Sequence, residues 1–430
     1  MGQQTRSTIA RWKPSRRVEA FRKSKPPRPG ISAMSAEGRL LVLCARTAVS
    51  EFVRVEITDL VCDGINWDLL WQLSKAHGVA PLVYRNLAAI CPAAVPSAIH
   101  EAYRRQNQST TLMNTVLAKE LVALLDALAA KGVMAIPFHG VTLAQVAYGD
   151  LSMRECEDIE LIVEHGAVSQ ARKVLWSHGY QLLGADNDAE ADPREGHHVF
   201  LKRNGMAMVK LQWGLAGYHS NFRLDRHALW GRLKPVGLPT KAVMGLCPED
   251  LLILLCVHGT LHNWKQLKWV CDIAEFVRRK PALDWSRILF QASEWRCRRM
   301  VLLGLAMAQN LFDIVLPRTV SHEIESDTDL PVLVRRMPQQ LLKHPDQGID
   351  EDCADAVSLT IKDSVWARWK LGLILCRVDA EVIHRPLPWF RFQRQLRLMS
   401  ACMRPLLRSV PKEIVPVRVR HMVVGWLQSS

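Results

Sequence analysis

No Cys-x-x-Cys pair occurs in this chain of 430 residues, and its eleven cysteines are scattered and odd in number. That pattern argues against a disulfide frame and a zinc ribbon, and it predicts the reduced, buried thiols of a cytoplasmic protein. No apolar run is long enough to span a bilayer. The best, residues 300–316, is broken by Gln309, Asn310 and Asp313, as in a helix buried within protein. The N-terminus lacks the apolar segment of a secretory signal. Interleaved aromatics and recognisable nucleic-acid reading modules are missing too, which ranks a nucleic-acid factor behind other readings.

What is present is basic charge, with a formal net charge of +14. Much of it sits at the start, where Arg6, Arg11, Lys13, Arg16, Arg17, Arg22, Lys23, Lys25 and Arg28 face only Glu19. With Pro14, Pro26, Pro27 and Pro29 among them, residues 1–37 read as a disordered basic tail. Charge alone would let it touch RNA, DNA or anionic lipid; the favoured reading is a solvated leader or an upstream start site, and its acid-poor composition could imitate a transit peptide.

Helical spacing runs through residues 38–106, with Trp67, Leu69, Leu70 and Leu73 and later Val79, Leu82, Val83 and Leu87 in register. This is the expected N-terminal helical cap. A mixed core is expected over 107–240, opening on an amphipathic helix that carries Leu117, Leu121, Leu124, Leu125 and Leu128 and closes at Lys131-Gly132. The rest, 241–410, reads as a helical bundle, with an acidic, proline-broken insertion or linker at 321–355 and a tail at 411–430. A second acidic loop is expected at 186–193. Within the bundle, His258 and His262 are four apart and could face one another, a spacing that suits packing as well as metal binding.

Residues 138–163 carry the chemistry. An apolar strand ends at Phe138-His139-Gly140, Gly140 starts a helix over 141–148, and Asp158-Ile159-Glu160 enters a second strand. Side chains two apart on a strand share a face, so Asp158 and Glu160 are candidate ligands of Mg²⁺, which takes one or two carboxylates and completes its shell with water and phosphate. A glycine-led helix tip offers N–H groups to phosphate. Further on, 197–202 and 206–213 alternate around Arg203-Asn204-Gly205, a hairpin signal. Its second strand puts Lys210 and Gln212 on one face, the one expected to look at Asp158 and Glu160.

Together Phe138-His139-Gly140, Tyr148-Gly149-Asp150, Arg154 and Asp158-Ile159-Glu160 resemble the bacterial uncharacterised nucleotidyltransferase family, within the polymerase-β-like superfamily. The resemblance spans roughly 67 to 405. It implies an α+β fold, a small polymerase-β-like palm of mixed sheet and helices flanked by N-terminal and C-terminal helical regions. It implies binding of a nucleoside triphosphate with Mg²⁺ and transfer of a nucleoside monophosphate to a hydroxyl of a small-molecule, peptide or protein acceptor. Asp158 and Glu160 would hold the metal, and His139, Gly140 and Arg154 would lie along the phosphates.

Three residues depart from the family's pattern. His139 stands where a lysine is usual, Glu160 where an aspartate is usual, and Lys210 where the third carboxylate is expected. A cation at 210 removes a metal ligand and repels the ion, and it leaves a single Mg²⁺ as the expected complement. Lys210 could instead pair with the acids or touch a nucleotide phosphate. The alternative to an enzyme is therefore a catalytically inactive protein of this fold that binds a nucleotide or a protein partner.

Overall fold

The computed structural model describes residues 34–183, 196–213, 224 and 226–342. The expected tail up to residue 33, the acidic loop at 186–193 and everything beyond 342, including the C-terminal tail, lie outside the described residues.

Four helices open the fold: α1 (Ala36–Cys44), α2 (Glu51–Asp63), α3 (Trp67–Ala76) and α4 (Ala80–Ile90). The first three begin on side-chain caps, Ser35, Ser50 and Asn66, which accept the backbone N–H of Gly38, Val53 and Leu69. Each cap satisfies a donor that the first helical turn leaves free. Because Ser35 caps α1, this helix starts inside the stretch expected to be tail. Next comes α5 (Ser97–Ala129), 33 residues without a glycine or proline. It runs straight through the expected boundary at 106/107, so cap and core share one helix. Its first half buries Tyr103 against α3, where the hydroxyl meets Ser74 Oγ at 2.7 Å. Its second half lays Leu117, Leu121, Leu124 and Leu128 behind the sheet.

The sheet has five strands: β1 (Ala135–Phe138), β2 (Ile159–Val163), β3 (Tyr180–Leu182), β4 (His197–Lys202) and β5 (Met208–Gln212). Their order is β1-β2-β5-β4-β3. β2 and β5 run parallel, while the other neighbours are antiparallel. Period-two alternation divides the sheet. Ile159, Leu161, Val163, Val209 and Leu211 point back, into a core shared with α5 and α7 (Val168–Ser177). Glu160, Lys210 and Gln212 occupy the alternate positions and so share the front face.

In front of the sheet stands a helical bundle: α9 (Pro248–Leu261), α10 (Leu267–Arg279), α11 (Trp285–Glu294), α12 (Arg298–Phe312), α13 (Arg318–Ser326) and α14 (Leu330–Leu341). It merges with α1–α4 into one apolar cluster. Between sheet and bundle lie α8 (Arg226–Trp230) and a hairpin of β6 (Lys234–Gly237) with β7 (Ala242–Gly245). The chain is therefore not wholly helical beyond 239. Residues 318–341 are not a linker either: Val320, Ile324, Leu330, Leu333 and Met337 recur at helix spacing and are buried. Among the described residues no helix is long and apolar enough to cross a membrane.

One joint between cap and bundle is titratable. His77, just past α3, is 5% exposed. Its carbonyl accepts the N–H of Lys268, and its Nδ1 accepts the N–H of Leu267. Burial pushes its pKa down from 6.5 to about 4. A histidine depressed on folding stabilises fully above the unfolded pKa, and that stability is lost as pH falls from about 6.5 toward 4. The linkage amounts to about 3 kcal/mol. Urea midpoints should fall over that window, and His77→Gln should lose this share of the slope; an unchanged slope would show that His77 does not set it.

Candidate functional site

Front-face polar residues open into a cleft of about 170 Å³ between the sheet and the bundle, lined by residues including His139, Asp158, Glu160, Lys210, His262 and Trp269.

The entry from β1 is made by two consecutive residues of positive φ, His139 at +60° and Gly140 at +51°. A Cβ on Gly140 would come 3.1 Å from the backbone oxygen of Asp158, so glycine is required both for conformation and for this close approach. His139 has a Cβ and stays in its unfavourable conformation because its surroundings hold it. Thr142 Oγ1 and the N–H of Leu143 donate to its carbonyl, and its ring stacks on Phe138 at 3.7 Å. The following helix α6 (Gly140–Leu143) has only four residues and passes into a π-turn at Ala144–Tyr148. Such a short element supplies little dipole to a phosphate, and the geometry gives the expected tip at Gly140 only weak support as an anion seat.

Glu160 is the best-held acid in the cleft. Its Oε1 accepts from His139 Nδ1 at 3.2 Å and its Oε2 from Gln212 Nε2 at 2.5 Å. A carboxylate only accepts, so His139 carries its proton on Nδ1, and its buried Nε2 has no hydrogen-bond partner among the described residues. Burial pushes Glu160 up, but His139, the Lys210 ammonium and the Gln212 amide outweigh it and keep the carboxyl well below its ordinary range. Asp158 is the opposite case. Burial, then repulsion from Glu160, pushes its carboxyl well up, and Lys210 offsets only part of this. Among the described residues Asp158 makes no hydrogen bond or ion pair.

Lys210 lies where the strand alternation put it. Its Cα is the register partner of Glu160 across the parallel β2–β5 pair. Its ammonium makes no hydrogen bond and no ion pair within 4 Å among the described residues; it acts on Asp158, Glu160, His258 and His262 through space. The site thus combines one saturated carboxylate, one free carboxylate and one free ammonium.

Arg154, expected along the phosphates, lines the cleft with its guanidinium held by the bundle. Its Nε and Nη2 donate to Asp272 Oδ1 and Oδ2 of α10 at 2.8 and 2.9 Å, and Nη1 donates to the carbonyl of Glu155. Tyr148 Oη donates to the same Asp272 at 2.8 Å. Asn114 of α5 fixes the loop by donating to the carbonyls of Leu151 and Arg154. Arg154 and Asp272 are both buried, so the guanidinium is consumed in tying the palm to the bundle.

Two further groups were not legible from spacing alone. Lys268 of α10 donates to Glu157 at 2.7 Å, its stem lying over Gly78, where a Cβ would clash. A row of rings crosses the cleft wall: His139 to His258 at 4.1 Å, His258 to His262 at 4.5 Å, and His262 to Trp269 at 5.4 Å. His258 and His262 face one another as their spacing allowed, and among the described residues no three His, Cys, Asp or Glu converge to hold a metal.

A mixed sheet with two front-face acids at the edge of one strand, backed by helices and closed by a bundle, defines a protein of nucleotidyltransferase type. The chain belongs to the family described as uncharacterised nucleotidyltransferases, whose model matches residues 63–313. Among solved structures it is similar to an antigenic nucleotidyltransferase-like protein from Paracoccidioides brasiliensis, at 15% identity and a TM-score of 0.30, over 49% of this chain and 96% of that one. No curated protein matches it.

Proposed function

We propose that the cleft binds a nucleoside triphosphate together with a single Mg²⁺ and does not run two-metal nucleotidyl transfer. One observation carries this: Lys210, unbonded, sits in register with Glu160 on the strand where a third carboxylate would be needed. A two-ion clamp requires acids that bridge both ions. Here Glu160 has both oxygens engaged by His139 and Gln212, and a permanent cation stands beside it. Half-buried Asp158 has neither oxygen hydrogen-bonded among the described residues, the kind of group a divalent cation would relieve. A single Mg²⁺ on Asp158, completed by water and ligand phosphate, fits this donor set. When bound, the ion would neutralise phosphate charge. Lys210, free and facing the same space, would take the remaining phosphate oxygens as a point charge.

The test is isothermal titration of ATP with and without Mg²⁺ into wild type and Asp158→Asn, beside incubation with α-labelled nucleotides and acceptor pools. The expected result is binding strengthened by Mg²⁺ in wild type, no Mg²⁺ effect in Asp158→Asn, and no label transferred. Transfer of label by wild type that is lost in Asp158→Ala would overturn the proposal in favour of an active transferase.

A further inference from the structure

The lining of the cleft passes from the charged residues to the ring row, where His262 and the partly buried Trp269 reach it, Trp269 also meeting His258 and His262. His139 is closed in by Phe138 on one side and by His258 on the other. His258 meets Phe138, His139, His262 and Trp269 at once, so its faces and edges are largely occupied. His262 is exposed and Trp269 half-buried, and both line the cleft. Beside them Gln266, at the start of α10, caps nothing with its side chain, while its carbonyl accepts the N–H of Trp269. Its amide brings a donor and an acceptor to the cleft that Trp269 also lines. The charge is arranged in the opposite sense: Lys210 and Asp158 lie on the sheet wall, while Trp269 and Gln266 lie on the bundle wall.

We infer that Trp269 is the nucleobase shelf of this cleft, with the base stacked on the indole and its polar edge read by the Gln266 amide, while the phosphates point to Lys210. The inference rests on the nucleotide-binding reading above and adds to it where the base goes and what selects it. Every base has a π-face, so stacking supplies affinity without choosing among bases. The larger ring system of a purine covers more of an indole than a pyrimidine does, and a side-chain amide can pair with the donor–acceptor edge of adenine. ATP should therefore bind more tightly than UTP.

The experiment compares ATP, UTP and inorganic tripolyphosphate, each with Mg²⁺, by titration calorimetry on the full chain. In wild type, ATP should bind about tenfold or more tighter than tripolyphosphate. Trp269→Ala should erase that advantage while leaving tripolyphosphate affinity unchanged, which also shows the variant is folded; Trp269→Phe should keep most of it. Gln266→Ala should narrow the gap between ATP and UTP. If ATP binds no better than tripolyphosphate, or if Trp269→Ala weakens both equally or neither, the shelf is wrong even though the phosphate seat stands. If wild type binds neither ligand, the nucleotide reading itself fails and the shelf with it.

Discussion

Lys210→Asp should raise the affinity of the cleft for Mg²⁺ by tenfold or more in the absence of nucleotide. The substitution reverses a charge that faces Asp158 and Glu160 from the neighbouring strand. One unit charge at about 5 Å contributes on the order of 3 kcal/mol at an effective dielectric near 20, and the change is of two units. Solvent screening and local rearrangement take back part of this, and tenfold corresponds to only about 1.4 kcal/mol. The same variant should lose affinity for metal-free tripolyphosphate, since the free ammonium is gone. Both effects can be read by calorimetry, with Mn²⁺ as a spectroscopic stand-in. Unchanged Mg²⁺ affinity would mean that position 210 does not share the seat of Asp158.

Asp272→Ala should cost about 3–5 kcal/mol of stability, the loss typical when one partner of a buried ion pair is removed. Asp272 takes both forks of the Arg154 guanidinium and the Tyr148 hydroxyl, and it lies 1% exposed. Its removal strands a permanent cation under the cleft floor. Arg154→Met combined with Asp272→Leu should recover more than half of the loss, because two apolar side chains leave no charge behind. Urea midpoints at constant m-value measure this. If Arg154 served a ligand phosphate instead, Asp272→Ala would cost little and would tighten tripolyphosphate binding.

The contrast between these two residues shows what was legible in the sequence. Lys210 could be placed because strands alternate with period two: once Val209 and Leu211 are assigned to the core, Lys210 and Gln212 have to face the other way, as they do beside Glu160. Glycine at 140 could be placed for a similar reason, a turn that tolerates little else. The pairing of Arg154 could not, because its partner lies 118 residues away along the chain. The ring row hides likewise, joining β1 to the bundle through His139 and His258.

Two element assignments failed for local reasons. β6 and β7 are four residues each, half-exposed and interrupted by Pro235, too short for alternation to show. Over 318–341 the acids and prolines drew attention from the apolar spacing beneath them. Asp327 in fact accepts the N–H of Asp329 and Leu330 at the start of α14, so an acid that read as linker is a helix cap.

The division of the central sheet has a consequence for how such a protein can change. Ile159, Leu161, Val209 and Leu211 secure the fold from behind, and a slip of one residue would drive Glu160 and Lys210 into oil. The intervening residues Glu160 and Lys210 take no part in that rear packing and face the cleft. Chemistry can therefore drift, a carboxylate giving way to an amine, while the architecture that displays it stays put. Ancestry and activity are written on opposite sides of the same strands.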